Sequence, residues 1–280
     1  MKRTLLKRIA LVGLLSLFSF QTIGCSMLSK MFKRKRRMSY KERKAMKRKK
    51  AQAALKTFLA SNNCKTAEKL YKDSNGYLSS ADKDRRYTHY AYLLGRCNRW
   101  SHFFNKVVHY GNTTGVKMLK HMESKGLPVM SKFKSWIATG TPWAPDTSRY
   151  GRHYNRYKFY AAKHITNWML GKPNPAQHCR LFKRHYSTFH SWVQTPVLKF
   201  MGKAKCPSAL SMHRQALLSR NIGIRQLACR YLGSNGSRSD VRRLYTLAST
   251  DSSWIRIGRR RTWTSSVCRS AAGRLRLKLN

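Results

Sequence analysis

Acid–base chemistry needs carboxylates, and this chain has nine in 280 residues against 59 Lys and Arg. They are Glu42, Glu68, Asp73, Asp82, Asp84, Glu123, Asp146, Asp240 and Asp251. Only Asp82 and Asp84 are near neighbours, in a polar helix start where they complement the N-terminal dipole. Hydrolysis by a carboxylate pair, or by a hard metal held on oxygen ligands, has no residues to use. The ten histidines offer no ligand pattern either. His102 and His109 share a helix face, His185 and His190 are close and His178 adjoins Cys179, yet no H-E-x-x-H or Cys/His finger spacing occurs. Nucleophile-elbow and nucleotide-loop motifs are likewise missing from the sequence. The expectation is a chain with no catalytic residue, no metal and no cofactor.

Binding of anions is the chemistry the composition favours. A formal charge of +50 repels itself, and nine acids offset little of it, so a polyanionic partner would supply the counter-charge. Nucleic acid, anionic lipid headgroups, lipopolysaccharide and acidic cell-wall polymers all have that chemistry. The candidate anion-binding residues fall in two clusters. One is the Lys-rich stretch with Lys33, Arg34, Lys35, Arg36, Arg37, Lys47, Arg48, Lys49 and Lys50; the other is Arg259, Arg260 and Arg261. A third stretch, residues 149–160, interleaves five aromatics with four Lys or Arg. Such a mixture grips phosphate while stacking rings. Here, however, Tyr154 and Tyr157 fall in step with Ala161, Ile165 and Trp168, so the spacing favours a core stripe with a solvated back.

The N-terminus sets the compartment. Lys2, Arg3, Lys7 and Arg8 precede an apolar run from Ile9 to Phe20, then Thr22-Ile23-Gly24-Cys25-Ser26. This resembles the signal peptide and lipobox of bacterial lipoproteins, which implies cleavage before Cys25, acylation (palmitate included) on that cysteine, and, with Ser26 following, sorting to the outer membrane facing the periplasm. Between Lys30 and Lys50 there are thirteen basic residues and one acid. Positive flanks tend to stay cytoplasmic, so the alternative is an uncleaved anchor with a cytoplasmic body at the inner membrane. Cys64, Cys97, Cys179, Cys206, Cys229 and Cys268 remain, an even number with no C-x-x-C, which suits disulfides in an oxidising compartment. Neighbouring hairpins favour the sequential pairs 64–97, 179–206 and 229–268.

The elements that must carry these residues read as helices. Ser39 and Glu42 have capping-box spacing before a helix that runs to about Ala60 and turns Ala54, Leu55, Phe58 and Leu59 toward a core. Short helices punctuated by Gly, Asn and Pro follow, and no segment shows sustained strand alternation. The expected fold class is all-α, built of short antiparallel hairpins as an α-solenoid. Four segments are expected: the signal peptide 1–25, a basic arm 26–50, a helical domain 51–205 and a repeat region 206–280. In the last, Ile224-Arg225-x-x-Ala228-Cys229-x-x-Leu232-Gly233 returns 43 residues later as Val267-Cys268-Arg269-x-Ala271-Ala272-x-x-Leu275. The pattern resembles HEAT-like repeats, which implies stacked helix pairs with a binding face for a protein partner. The functional expectation is a membrane-anchored binding or scaffolding module for an anionic or protein partner. The alternative is a cytoplasm-facing nucleic-acid binder.

Overall fold

A computed structural model describes residues 39–109, 114–139, 142–148, 150–258 and 260–280. The signal peptide, Cys25, the cationic candidates Lys33, Arg34, Lys35, Arg36 and Arg37, and Arg259 lie outside the described residues.

The protein is all-α, with one small hairpin. Helix α1 (Tyr40–Ala60) opens on the expected capping box: the Ser39 N–H donates to Glu42 Oε2 (2.7 Å) and the Glu42 N–H to Ser39 Oγ (3.2 Å). Its first turns are exposed on every side, and only Ala51, Leu55 and Phe58 are buried. After α2 (Ala67–Asp73) comes α3 (Ser80–Arg96). Ser79 is its N-cap, accepting from the Asp82 N–H at 3.1 Å. Asp84 does more than decorate that helix start: it accepts from Lys117 (2.6 Å) and Thr114 (2.9 Å) across the interface with α5.

The chain continues through α4 (Trp100–His102) and a π-helical turn (Phe103–Val107), then α5 (Thr114–Ser124), α6 (Val129–Ala138) and α7 (Gly151–Leu170). Next come α8 (Cys179–His185), α9 (Ser191–Lys203), α10 (Ala209–Ala216), α11 (Ile222–Asn235) and α12 (Arg238–Thr250). Strands β1 (Trp254–Ile257) and β2 (Arg260–Trp263) precede α13 (Thr264–Leu279). Alternate helices pack in series, α3 on α5, α5 on α7, α7 on α9, α9 on α11 and α11 on α13. One apolar cluster runs through them from Ala51 to Leu275. Among the described residues no helix is long and apolar enough to cross a membrane.

The hairpin adds to the all-α fold a pair of short strands that no sustained alternation in the sequence marked. Trp254 pairs with Trp263 and Ile255 with Thr262, antiparallel. The turn depends on Gly258, whose φ of +61° lies in the left-handed region. Four-residue strands, with three arginines among their eight residues, leave too short an alternation to read from sequence.

The sequential cysteine pairs are the ones that form. Cys64–Cys97, Cys179–Cys206 and Cys229–Cys268 are disulfides, with Cα separations of 5.7, 5.6 and 5.0 Å. The last joins α11 to α13, the two helices that carry the repeated sequence pattern. Ile224, Ala228, Cys229 and Leu232 are buried on one helix, and Cys268, Ala271, Ala272 and Leu275 on the other. Small residues let the backbones close in: a Cβ on Gly233 would stand 2.7 Å from Ala271 Cβ. Arg225 of this pattern donates to Asp251 at 2.7 Å, and Arg214 forks onto the buried Asp240 at 2.7 and 2.8 Å.

Candidate functional site

Helix α7 is seated by a clasp at its start. The Asn155 side chain accepts from the Asp146 N–H (2.9 Å) and donates to the Asp146 carbonyl (3.1 Å). Gly151 makes room for this loop, since a Cβ there would stand 2.8 Å from the Asp146 carbonyl carbon. Lys158, half-buried, donates to the Ala144 carbonyl at 2.8 Å. Burial pushes its ammonium below the usual lysine range, and Asp146 partly opposes that. Lys158 is therefore a structural clamp rather than a ligand-facing cation.

With the clasp in place, the two sides of the first half of α7 face different surroundings. On one side Tyr157 stacks on His109 (ring centroids 4.0 Å apart) and hydrogen-bonds His153. Burial first, then the neighbouring His164 and His153, push His109 down to about 4, so its ring is neutral at physiological pH. Tyr154, expected in the core stripe, is exposed, and Tyr157 is only half-buried. The stripe takes full effect from Ala161 onward, where Ala161, Ile165 and Trp168 are buried. Tyrosine spacing continued the helical period but not the burial, because a phenol tolerates both water and apolar contact.

On the other side, α7 and α9 bound a groove of about 770 Å³. Tyr150, Arg152, Arg156, Phe159 and Tyr160 form one wall, and Trp192 and Thr195 the facing one. Ile255 of the hairpin and the start of α11 close one end. Arg156 lies 5.8 Å from the Tyr160 ring centroid, and Phe159 meets Tyr160 edge to face at 5.2 Å. Through Phe159 and Thr195 the groove runs on into a second stretch of about 280 Å³, where Lys163, Lys199 and Lys203 stand. From Arg152 to Lys163 the α7 wall alone spans about 16 Å at 1.5 Å per residue. No acidic side chain lines either stretch. These two adjoining stretches are cationic, with flat rings at one end, and suit a chain of repeating anionic units that also presents ring faces.

The cationic residues singled out from sequence lie elsewhere. Lys47, Arg48, Lys49 and Lys50 are exposed on α1, with Lys47 5.9 Å from the Tyr77 ring centroid. Arg260 and Arg261 are exposed on β2, and Arg261 lies over Trp254 at 4.6 Å. None of them lines the groove. One sequence signal marks the groove region: residues 147–239 contain no acid at all. Among the described residues, no three His, Cys, Asp or Glu side chains converge to hold a metal ion. Comparison with protein-family models, with curated proteins and with solved structures finds no match.

Proposed function

We propose that this chain is a binding protein of the bacterial cell envelope, acyl-anchored at Cys25 on the periplasmic face of the outer membrane, that holds an anionic sugar polymer in the α7–α9 groove. The observation that carries the reading is the groove itself: Arg152, Arg156, Lys163, Lys199 and Lys203 beside Phe159, Tyr160 and Trp192, with no acid among them. Guanidinium and ammonium groups take the anionic substituents, while aromatic faces take the apolar faces of sugar rings. Three disulfides support a compartment outside the cytosol, and the lipobox-like Gly24-Cys25-Ser26 supports the anchor. The arm from Lys30 to Lys50 would then lie along anionic headgroups, each nearby cation adding up to about 1 kcal/mol. The serial packing of alternate helices supports a solenoid with HEAT-like units at its C-terminal end, a scaffold that leaves long surfaces open to polymer or protein partners. No residue here is assigned to catalysis.

The same groove chemistry would suit unstacked nucleobases, the partner of a cytoplasm-facing protein, so the test is competitive. Lipid-free protein is titrated at near-physiological salt with polygalacturonate, with oligothymidylate of equal charge, and with phosphatidylglycerol vesicles. The expected order places the acidic polysaccharide at least tenfold tighter than the oligonucleotide, a difference of about 1.4 kcal/mol. Arg156→Gln combined with Tyr160→Ala removes that preference without altering vesicle binding. An oligonucleotide that binds tenfold tighter than the polysaccharide would replace this reading with the nucleic-acid one.

A further inference from the structure

A second concave surface lies between α10 and α12, about 810 Å³ in extent, and it differs in kind from the groove. Its floor is aliphatic: Leu217 and Leu247, with Leu218 beside them left 85% exposed. Its rim is arginine. Arg214 and Arg243 both look toward the buried Asp240, at 2.7 and 3.9 Å, and are partly neutralised by it. Arg238 and Arg242, one turn apart on α12, have no carboxylate partner among the described residues. The trough runs along α12 from Arg238 to Thr250, about 18 Å or three helical turns.

We infer that this trough docks an acidic amphipathic helix of a partner protein. Charge complementarity chooses the occupant. A second copy of this chain, or its own basic arm, would bring more positive charge to an arginine rim. A polysaccharide would gain nothing from Leu218. A free fatty acid would suit the aliphatic floor, but the trough is open along its length and would leave an acyl chain half wetted. A helix supplies its own polar outer face, sets leucine-type side chains at i, i+3, i+4 and i+7 on the floor, and places flanking carboxylates against Arg238 and Arg242. The inference rests on observations separate from those of the groove, and it stands or falls independently of the polymer.

The probe is a synthetic, end-capped 14-residue peptide with leucines at those spacings and glutamates flanking them, alongside a scrambled peptide of equal composition. Binding to the full chain with its disulfides intact is followed by fluorescence anisotropy. The patterned peptide should bind at least tenfold tighter than the scrambled one and gain helical circular dichroism on binding. Leu218→Ser, and separately Arg238→Glu with Arg242→Glu, should each weaken it at least tenfold. All three side chains are exposed, so the thermal midpoint of the variants should match wild type. Equal affinity for the scrambled peptide, or indifference to Leu218→Ser, would overturn the proposal in favour of charge alone. Dodecanoate that displaces the peptide and is itself lost in Leu218→Ser would overturn it in favour of an acyl ligand.

Discussion

Arg86 holds its charge inside the fold without a carboxylate. It is 4% exposed, and its guanidinium donates to the Tyr71 carbonyl at 2.8 and 3.1 Å, to Ser74 Oγ at 3.0 Å and to Asn75 Oδ1 at 3.2 Å. These acceptors sit at the C-terminal end of α2, where the helix dipole favours a cation. Arg86→Met should destabilise the protein by about 2–3 kcal/mol, because it strands several acceptors at once. Arg86→Lys should recover only part of this, since an ammonium cannot reproduce the fork; urea denaturation of the two variants checks both. His213 gives a pH prediction. It is buried, stacked on Tyr231 at 3.7 Å, and burial pushes it down to about 4 despite its hydrogen bond to the Ala209 carbonyl. Below the unfolded value near 6.5 the unfolded chain takes a proton that the native state refuses. Its effect is therefore a loss of stability as pH falls from about 6.5 to 4, with a slope approaching about 1.4 kcal/mol per pH unit. Denaturation midpoints of wild type and His213→Phe, compared at pH 7, 6 and 5, should converge as pH falls if His213 carries this loss. A constant gap between them would assign the loss to other groups.

At the scale of elements, the contact between α11 and α13 is constrained by both a close backbone approach and a disulfide. Gly233→Ala would place its Cβ 2.7 Å from that of Ala271 and 2.8 Å from its Cα, against backbone that has no room to yield. The expected cost is about 1–3 kcal/mol, read by denaturant titration. Removing the Cys229–Cys268 bridge as the double serine variant should cost about 2–4 kcal/mol. This region was the most legible part of the sequence. The 43-residue echo, the small residues within it and the paired cysteines all describe one interface, and local pattern and tertiary contact agree. The α1 capping box was legible for the same reason, being a purely local arrangement. The groove was not. Its α7 wall showed as a basic–aromatic run, but Tyr154 and Tyr157 kept the period of the buried residues behind them and suggested a core stripe. Trp192 and Ile255, which complete the concavity, lie far along the chain, and no sequence rule links them to Arg156. The hairpin that carries Ile255 was missed because its strands are short and rich in arginine.

For the whole molecule, charge and covalent structure point the same way. Seven ion pairs among the described residues engage a handful of the 59 basic side chains, so most of the +50 charge faces solvent or a ligand. Dispersed charge and a dedicated groove make different predictions about salt. Each cation that displaces a counter-ion from a flexible polyanion contributes about 0.7 to the slope of log affinity against log salt. The decisive measurement is that slope for polygalacturonate, taken on wild type, on a groove variant with Arg152, Arg156, Lys163 and Lys199 changed to Gln, and on an arm variant with Lys41, Lys44, Lys49 and Lys50 changed to Gln. All eight positions carry no carboxylate partner among the described residues, so folding should be unaffected and is checked by circular dichroism. The groove account predicts a slope shallower by about 3 in the groove variant and unchanged in the arm variant. Equal slopes in the two variants would contradict it and place the polymer on the dispersed charge of the surface.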